Sequence, residues 1–354
     1  MGTLCEGTYA GWPVLTLRRG RVLSVQSFAG GWQRMTVDVD GEERAAAADV
    51  GLVGPSEVGD EVVVNTAAVD LELGSGGFDL VHVNLTRGLG GAGAEGAHVM
   101  KLNYTSLQHA VHPVEGPELA VPLARPAGVF GLHGQLAPVC WALGEARPGA
   151  RVGFVQTAGG ALPGAMSRVV SELRERGLLA AHVTAGPAYG GEREAISVAG
   201  ALHHGVRDDG WDVAVCGPGP GILGSDSALG HGGMAALDTA HAAMALGCPT
   251  ALVARMSSGD PRERHQGISH HTLTVLALLL GRVTLPLPTG AERQFPDDYR
   301  HEVRRADVDL PGYARSGLPA TTMGRGLEED PEFFAAALAA GTVLAGLAPE
   351  RPGL

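Results

Sequence analysis

The sequence predicts an α/β protein built as a small N-terminal β-barrel or curled β-sheet domain followed by a doubly wound, Rossmann-like parallel sheet domain. Three observations predict it. Residues 14–85 form a run of short apolar segments bounded by Gly, Pro and Asp. From about residue 126 strand-like and helix-like segments alternate. The 354 residues exceed what one core usually covers. Apolar residues make up 45% of the chain and aromatics 5%, so Leu, Val and Ala must fill the cores.

The N-terminal strands are expected over Val14–Val25, Gln33–Asp40, Glu42–Val50, Glu61–Val69 and Phe78–Leu85. Asp40-Gly41 is a tight-hairpin signal, because both central residues of such a turn need positive φ. Arg87–Gly96 reads as a glycine-rich hinge, which sets the expected domains at 1–96, an interdomain segment at 97–125, an α/β domain at 126–288 and a wrapping tail with a terminal helix at 289–354. Within 126–288 the expected order is strand Arg151–Thr157, helix Pro163–Arg176, strand Ala181–Ala185, helix Glu192–Val206, strand Trp211–Cys216, helix Gly232–Leu246, strand Thr250–Arg255, helix Ser269–Leu280 and strand Val283–Leu287. The last helix is expected to start with Asp330 as N-cap and Pro331 behind it.

A formal charge of −12 disfavours a nucleic-acid partner, because binding to a phosphate backbone needs a positive surface. The single lysine, Lys101, lacks the glycine-rich context of a phosphate-binding loop, which excludes a P-loop nucleotidase; it reads as an exposed residue or one that reaches an anionic ligand. Cys5, Cys140, Cys216 and Cys248 have no Cys-x-x-Cys spacing and read as reduced, buried thiols. Residues 1–12 lack a basic start with an apolar run, and Leu273–Leu280 is too short to span a bilayer, so the expected location is the cytoplasm, away from any membrane.

In an open parallel sheet, ligands bind outside the carboxyl ends of the strands. Four loops are expected to share that edge. The first carries Gly159 and Gly160; the second is Gly186–Gly191; the third carries Gly219, Gly221, Gly224, Asp226 and His231; the fourth carries Arg255, Asp260, Arg264, His265, His270 and His271. Gly219-x-Gly221-x-x-Gly224 has the spacing of a dinucleotide fingerprint, but Pro218 and Pro220 remove amide donors and the strand that follows ends in Arg255 instead of an acidic residue. Met234, Leu237, His241 and Met244 share a helical stripe that turns His241 inward, within reach of Asp238. Ser269 suits an N-cap, which puts His270 and His271 in a first turn that disfavours imidazolium.

Gly59–Asn65, Met100–Thr105, Gly217–Gly221, Arg255-Met-Ser257, Arg264–Thr272 and Thr322–Asp330 together resemble an uncharacterised bacterial family defined only as a domain of unknown function. The resemblance spans nearly the whole chain and implies no activity, cofactor or catalytic residue.

Function therefore rests on the loops. The leading expectation is a small-molecule enzyme that holds an anionic metabolite on helix N-termini and Arg255, with His231 or His270 in proton transfer or carbonyl polarisation and with Gly159, Gly160, Gly219, Gly221, Gly224, Asp226, Arg264, His265 and His271 around the ligand. The alternatives are a noncatalytic nucleotide- or metabolite-sensing module and a metal-dependent hydrolase. No cofactor is named by the sequence, its metal content stays open, and a homodimer is the commonest assembly for such a chain.

Overall fold

The computed structural model describes residues 15–29, 31–73, 76–160, 163–291 and 299–350. The chain divides between Ala92 and Gly93 into two compact units. Cys5, Val14 and residues 351–354 lie outside the described part.

The first unit is a closed barrel of β1 (Leu17–Ala29), β2 (Trp32–Val39), β3 (Glu42–Asp49), β4 (Glu61–Asn65) and β5 (Asp79–Asn84) in the order β1-β2-β3-β5-β4. Period-two alternation creates its core: Met35, Val37 and Val39 on β2 point inward and meet Val22, Ala46, Ala48, Val62, Val64 and Val81. Asp40 and Gly41 turn β2 into β3 at φ 55° and 86°, the positive values expected of them. Two single-turn helices, α1 (Val50–Val53) and α2 (Ala67–Asp70), interrupt the strands. The fourth strand stops at Asn65, short of the expected Val69, because the Asn65 side chain accepts the Ala67 amide and starts α2. Asp60 is buried at the head of β4, where its carboxylate accepts two hydrogen bonds from Arg87 at 2.7 and 2.8 Å and one from Asn84 at 2.9 Å.

The second unit opens with the antiparallel pair β6 (Val99–Lys101) and β7 (His109–Val111). Then follow β8 (Ala127–Val129), α3 (Leu136–Ala146), β9 (Val152–Thr157), α4 (Arg168–Glu175), β10 (Ala181–Ala185), β11 (Arg193–Ala195), α5 (Val198–Arg207), β12 (Val213–Pro218), α6 (Ala235–Ala245), β13 (Thr250–Leu252), the two-residue strands β14 (Met256–Ser257) and β15 (Gly267–Ile268), α7 (His270–Leu278), β16 (Thr284–Pro288), β17 (Glu302–Ala306), α8 (Leu310–Arg315) and α9 (Pro331–Leu347). Eight strands form one parallel sheet in the order β11-β10-β9-β12-β8-β13-β16-β17. One face packs against α3, α4, α8 and α9 through Val139, Leu173, Tyr313 and Phe334, and the other against α5, α6 and α7 through Leu202, Ala240 and Leu276.

Several elements depart from the sequence pattern. The central strand β8 is only Ala-Gly-Val, and a Cβ on Gly128 would lie 2.5 Å from Leu344 Cδ1, so its identity depends on how closely α9 packs. The helix expected from Glu192 begins at Val198 instead; Ser197 caps it by accepting the Gly200 amide, and Arg193–Ala195 is drawn into parallel pairing with β10. The tail, expected to be aperiodic, supplies the edge strand β17 beside β16. Cys140, Cys216 and Cys248 are buried free thiols. No helix among the described residues is long and apolar enough to cross a membrane.

Candidate functional site

The chain leaves β8 toward β9 on one side of the sheet and leaves β13 toward β16 on the other, so the carboxyl ends of adjacent β8 and β13 flank a switch point. The loop after β13 fills it. Pairing of β14 with β15 folds that loop back on itself, and the Ser269 amide donates to the Arg255 carbonyl at 2.8 Å. Ser269 caps α7, and its hydroxyl oxygen accepts the His271 amide at 3.3 Å. This cap holds His270 and His271 in the first turn.

Beneath the loop lies a guanidinium–carboxylate network. Asp260, fully buried, accepts from Arg262 Nε and Nη2, both at 2.8 Å, from Arg325 at 3.2 Å and from Arg255 at 3.3 Å. Arg325 also donates to Asp330 at 3.0 Å. Arg262 is the main reason the Asp260 carboxyl titrates far below the usual carboxylate range. Burial lowers Arg255 to about 10. Three guanidiniums here face two carboxylates, and among the described residues a fourth, Arg264, pairs only with Asp226, whose side chain is 88% exposed. The network is short of negative charge.

Four imidazoles stand against it. His231 and His271 stack with centroids 3.5 Å apart and planes 11° off parallel, and His270 lies 4.4 Å from His271. His265 lies 4.9 Å from each of His270 and His271. Their tautomers follow from their partners. Arg255 donates to His271 Nδ1 at 3.1 Å, so that nitrogen carries the lone pair, whereas His231 Nε2 donates to the Ala228 carbonyl at 3.1 Å and leaves its Nδ1 bare. Burial, reinforced by Arg255 and Arg262, holds His265 at about 4, and burial beside His231 and Arg255 holds His271 at about 2. His231 and His270 are lowered by burial as well. All four rings are neutral at pH 7.

The twelve residues nominated from sequence separate into two groups. Gly224, Asp226, Arg255, Arg264, His265 and His271 line a cleft of about 200 Å³ together with Arg262 and Met323. The other six do not line it. His231 and His270 are not among its lining, and buried nitrogens of both, His231 Nδ1 and His270 Nε2, have no hydrogen-bond partner among the described residues. Gly159 and Gly160 serve chain packing: a Cβ on Gly159 would lie 2.2 Å from the Gly232 carbonyl oxygen and one on Gly160 2.5 Å from that of Gly219. Gly221 adopts φ 78° in the same turn.

Two expectations are corrected. Asp238 is exposed and does not hold His241, whose Nε2 accepts the Leu280 amide at 3.1 Å; α6 buries Ala236, Thr239, Ala240 and Ala243, and Met234, Leu237 and Met244 of the expected stripe pack against the same core. Lys101 is neither exposed nor on the cleft. It is 4% exposed, pairs with Glu194 at 2.5 Å and donates to the Thr184 carbonyl at 3.0 Å.

The pairing of Arg262 with Asp260, two residues apart, is local and readable from the loop; sequence reading missed Arg325, which stands in no local motif and reaches Asp260 only through folding. It also missed the role of Ser167. His133 Nδ1 donates to the Pro218 carbonyl at 3.1 Å, so its Nε2 accepts the Ser167 hydroxyl at 2.6 Å. A serine held on an imidazole lone pair resembles an activated nucleophile. Ser167 instead caps α4 by accepting the Val170 amide at 3.1 Å, and it does not line the cleft.

Fold and site define a two-unit α/β protein with an arginine- and histidine-walled cleft at the carboxyl edge of its parallel sheet. A family model described as "Protein of unknown function (DUF3866)" matches residues 45–341, and the chain belongs to that family. No curated protein matches the chain. Among solved structures, the crystal structure of YjeQ from Thermotoga maritima aligns over 90% of this chain and 89% of that one at 11% identity and a TM-score of 0.18, too low to carry an argument.

Proposed function

We propose that the protein is a small-molecule enzyme whose cleft holds an anionic substrate, a phosphate or carboxylate compound, on Arg255, Arg262 and Arg264. One observation carries this reading: among the described residues around the cleft three guanidiniums share two carboxylates, while Arg264 is anchored only to a solvent-exposed aspartate. Partly buried guanidiniums without matching counter-charge favour a bound anion, and their planar forks suit bidentate oxygens. The neutral rings of His265 and His271 stand at the wall of the same cleft, where an imidazole can polarise a carbonyl or phosphoryl oxygen or accept a proton.

Calorimetric titration with inorganic phosphate, pyrophosphate and citrate tests the binding half. At least one should bind, with affinity falling as salt rises, and Arg264→Gln should weaken it by about 10-fold while leaving the melting temperature unchanged. Absence of binding by all three, or binding indifferent to Arg264→Gln, overturns the assignment. Turnover is then sought with phosphate and carboxylate esters of the anion that binds.

A further inference from the structure

His265, His270 and His271 each offer a ring nitrogen, and these three atoms all lie within 4.8 Å of one another. We propose that they form a site for one divalent transition-metal ion of the zinc class. Imidazole nitrogen is a preferred ligand of such ions, and three protein ligands with a fourth position open is the arrangement of sites that act on a bound molecule.

Two further observations point to a ligand here. Among the described residues His270 Nε2 is buried without any hydrogen-bond partner, in the first turn of α7. An imidazole nitrogen left bare in that setting is satisfied by a cation that takes its lone pair. His265 is bound through Nδ1 to Ser269 Oγ at 2.7 Å, the outer hydrogen bond that fixes a ligating histidine and leaves Nε2 to the metal. His231, stacked on His271, buttresses that ring from behind. Because His265 and His271 line the cleft, the open position faces the space where the anion is proposed to sit.

The geometry sets one condition. His271 Nδ1 accepts from Arg255, and a neutral imidazole has a single lone pair. A metal at Nε2 requires the proton on Nδ1, which can no longer accept; a metal at Nδ1 takes the guanidinium's place. Either way loading the site separates Arg255 from His271. Removing Arg255 therefore strengthens metal binding, an effect opposite to that of damaging the fold.

The test uses the full chain, stripped by a chelator and titrated with Co²⁺ alone, with no anion present. Expected are one saturable equivalent with the visible absorption of a four-coordinate ion, its loss on adding Zn²⁺, and affinity lowered about 100-fold or more by His270→Ala or His271→Ala, beyond what loss of an outer hydrogen bond does. Arg255→Met should tighten binding. Since His265 is buried, its replacement can unfold the loop; His270 and His271 are only half-buried, and circular dichroism of their variants separates folding from ligation. A chain without the saturable cobalt spectrum, or one whose spectrum survives His270→Ala and His271→Ala unchanged, overturns the proposal. The metal site rests on the anion-cleft reading for its role alone. Phosphate titration of the metal-free protein is read separately, so either can fail by itself.

Discussion

The carboxylate of Asp330 accepts the hydroxyl of Ser257 at 2.7 Å across 73 residues of sequence. Asp330 stands where an N-cap belongs, yet it makes no side-chain cap to its own helix α9. Its second oxygen takes the amides of Ser258 and Gly259 at 3.0 and 3.3 Å, and Arg325 completes the set. The helix start thus anchors the loop that carries the cleft.

Asp330→Ala would take the acceptor from the Ser257 hydroxyl and two loop amides and leave Arg325 with Asp260 alone. Breaking one partner of a buried charged pair costs about 3–5 kcal/mol. The expected result is a lower melting temperature, together with faster amide exchange at Ser258 and Gly259. Unchanged exchange there would show that the loop does not depend on this anchor.

Gly232 and Gly159 bring two loops together, and a Cβ on Gly232 would stand 1.6 Å from the Gly159 carbonyl oxygen. Gly232→Ala should destabilise the protein by about 3 kcal/mol, since backbone cannot yield as a flexible side chain can. Gly116→Ala, where an added Cβ meets nothing within 4 Å, serves as the control and should change stability by less than about 0.5 kcal/mol. Equal effects in chemical denaturation would refute the close approach.

In the barrel, the Arg87 guanidinium beside Asp60 holds its carboxyl at about 2, below the ordinary 3.8. A depressed folded value means the stabilisation is complete above pH 3.8 and is lost as pH falls from there toward 2. With Arg87 partly exposed and screened, the contribution is about 1 kcal/mol. Thermal scans from pH 5 to pH 2.5 should show a steeper loss for the native chain than for Asp60→Asn. Parallel curves would sink the assignment.

Lys101 and Glu194 form a buried pair that joins β6 to β11, and Glu194 also takes the Gly190 amide at 2.7 Å and the Thr184 hydroxyl at 2.8 Å. Burial presses the lysine's proton affinity down while the glutamate beside it holds it up. Lys101→Met should cost about 3 kcal/mol by stranding the carboxylate. Adding Glu194→Gln to that variant should cost less than it does in the native chain, which a double-mutant cycle in denaturant would measure. Strict additivity would mean the two charges do not interact.

Much of this architecture was legible in the residues. Short apolar runs bounded by Gly, Pro and Asp marked the barrel strands, Asp40-Gly41 marked its hairpin, and Ser269 marked the start of α7, because each of these is set by local backbone chemistry. The site was legible in half. Arg255, Arg264, His265 and His271 line the cleft as expected. His231 and His270 do not, since a residue's place in sequence says which loop it rides on but not which way its ring turns.

What the sequence determined by itself was the order of strands and helices and the edge on which the polar loops gather; periodicity and capping are properties of neighbours in the chain. Only the tertiary structure decided that Ala127–Val129 is the central strand, that Glu302–Ala306 closes one edge of the sheet, and that Arg325 reaches Asp260 across 65 residues. Short strands take their identity from the partners that hydrogen-bond them, and a charge network takes its balance from groups that meet only when the sheet has brought its loops to one edge.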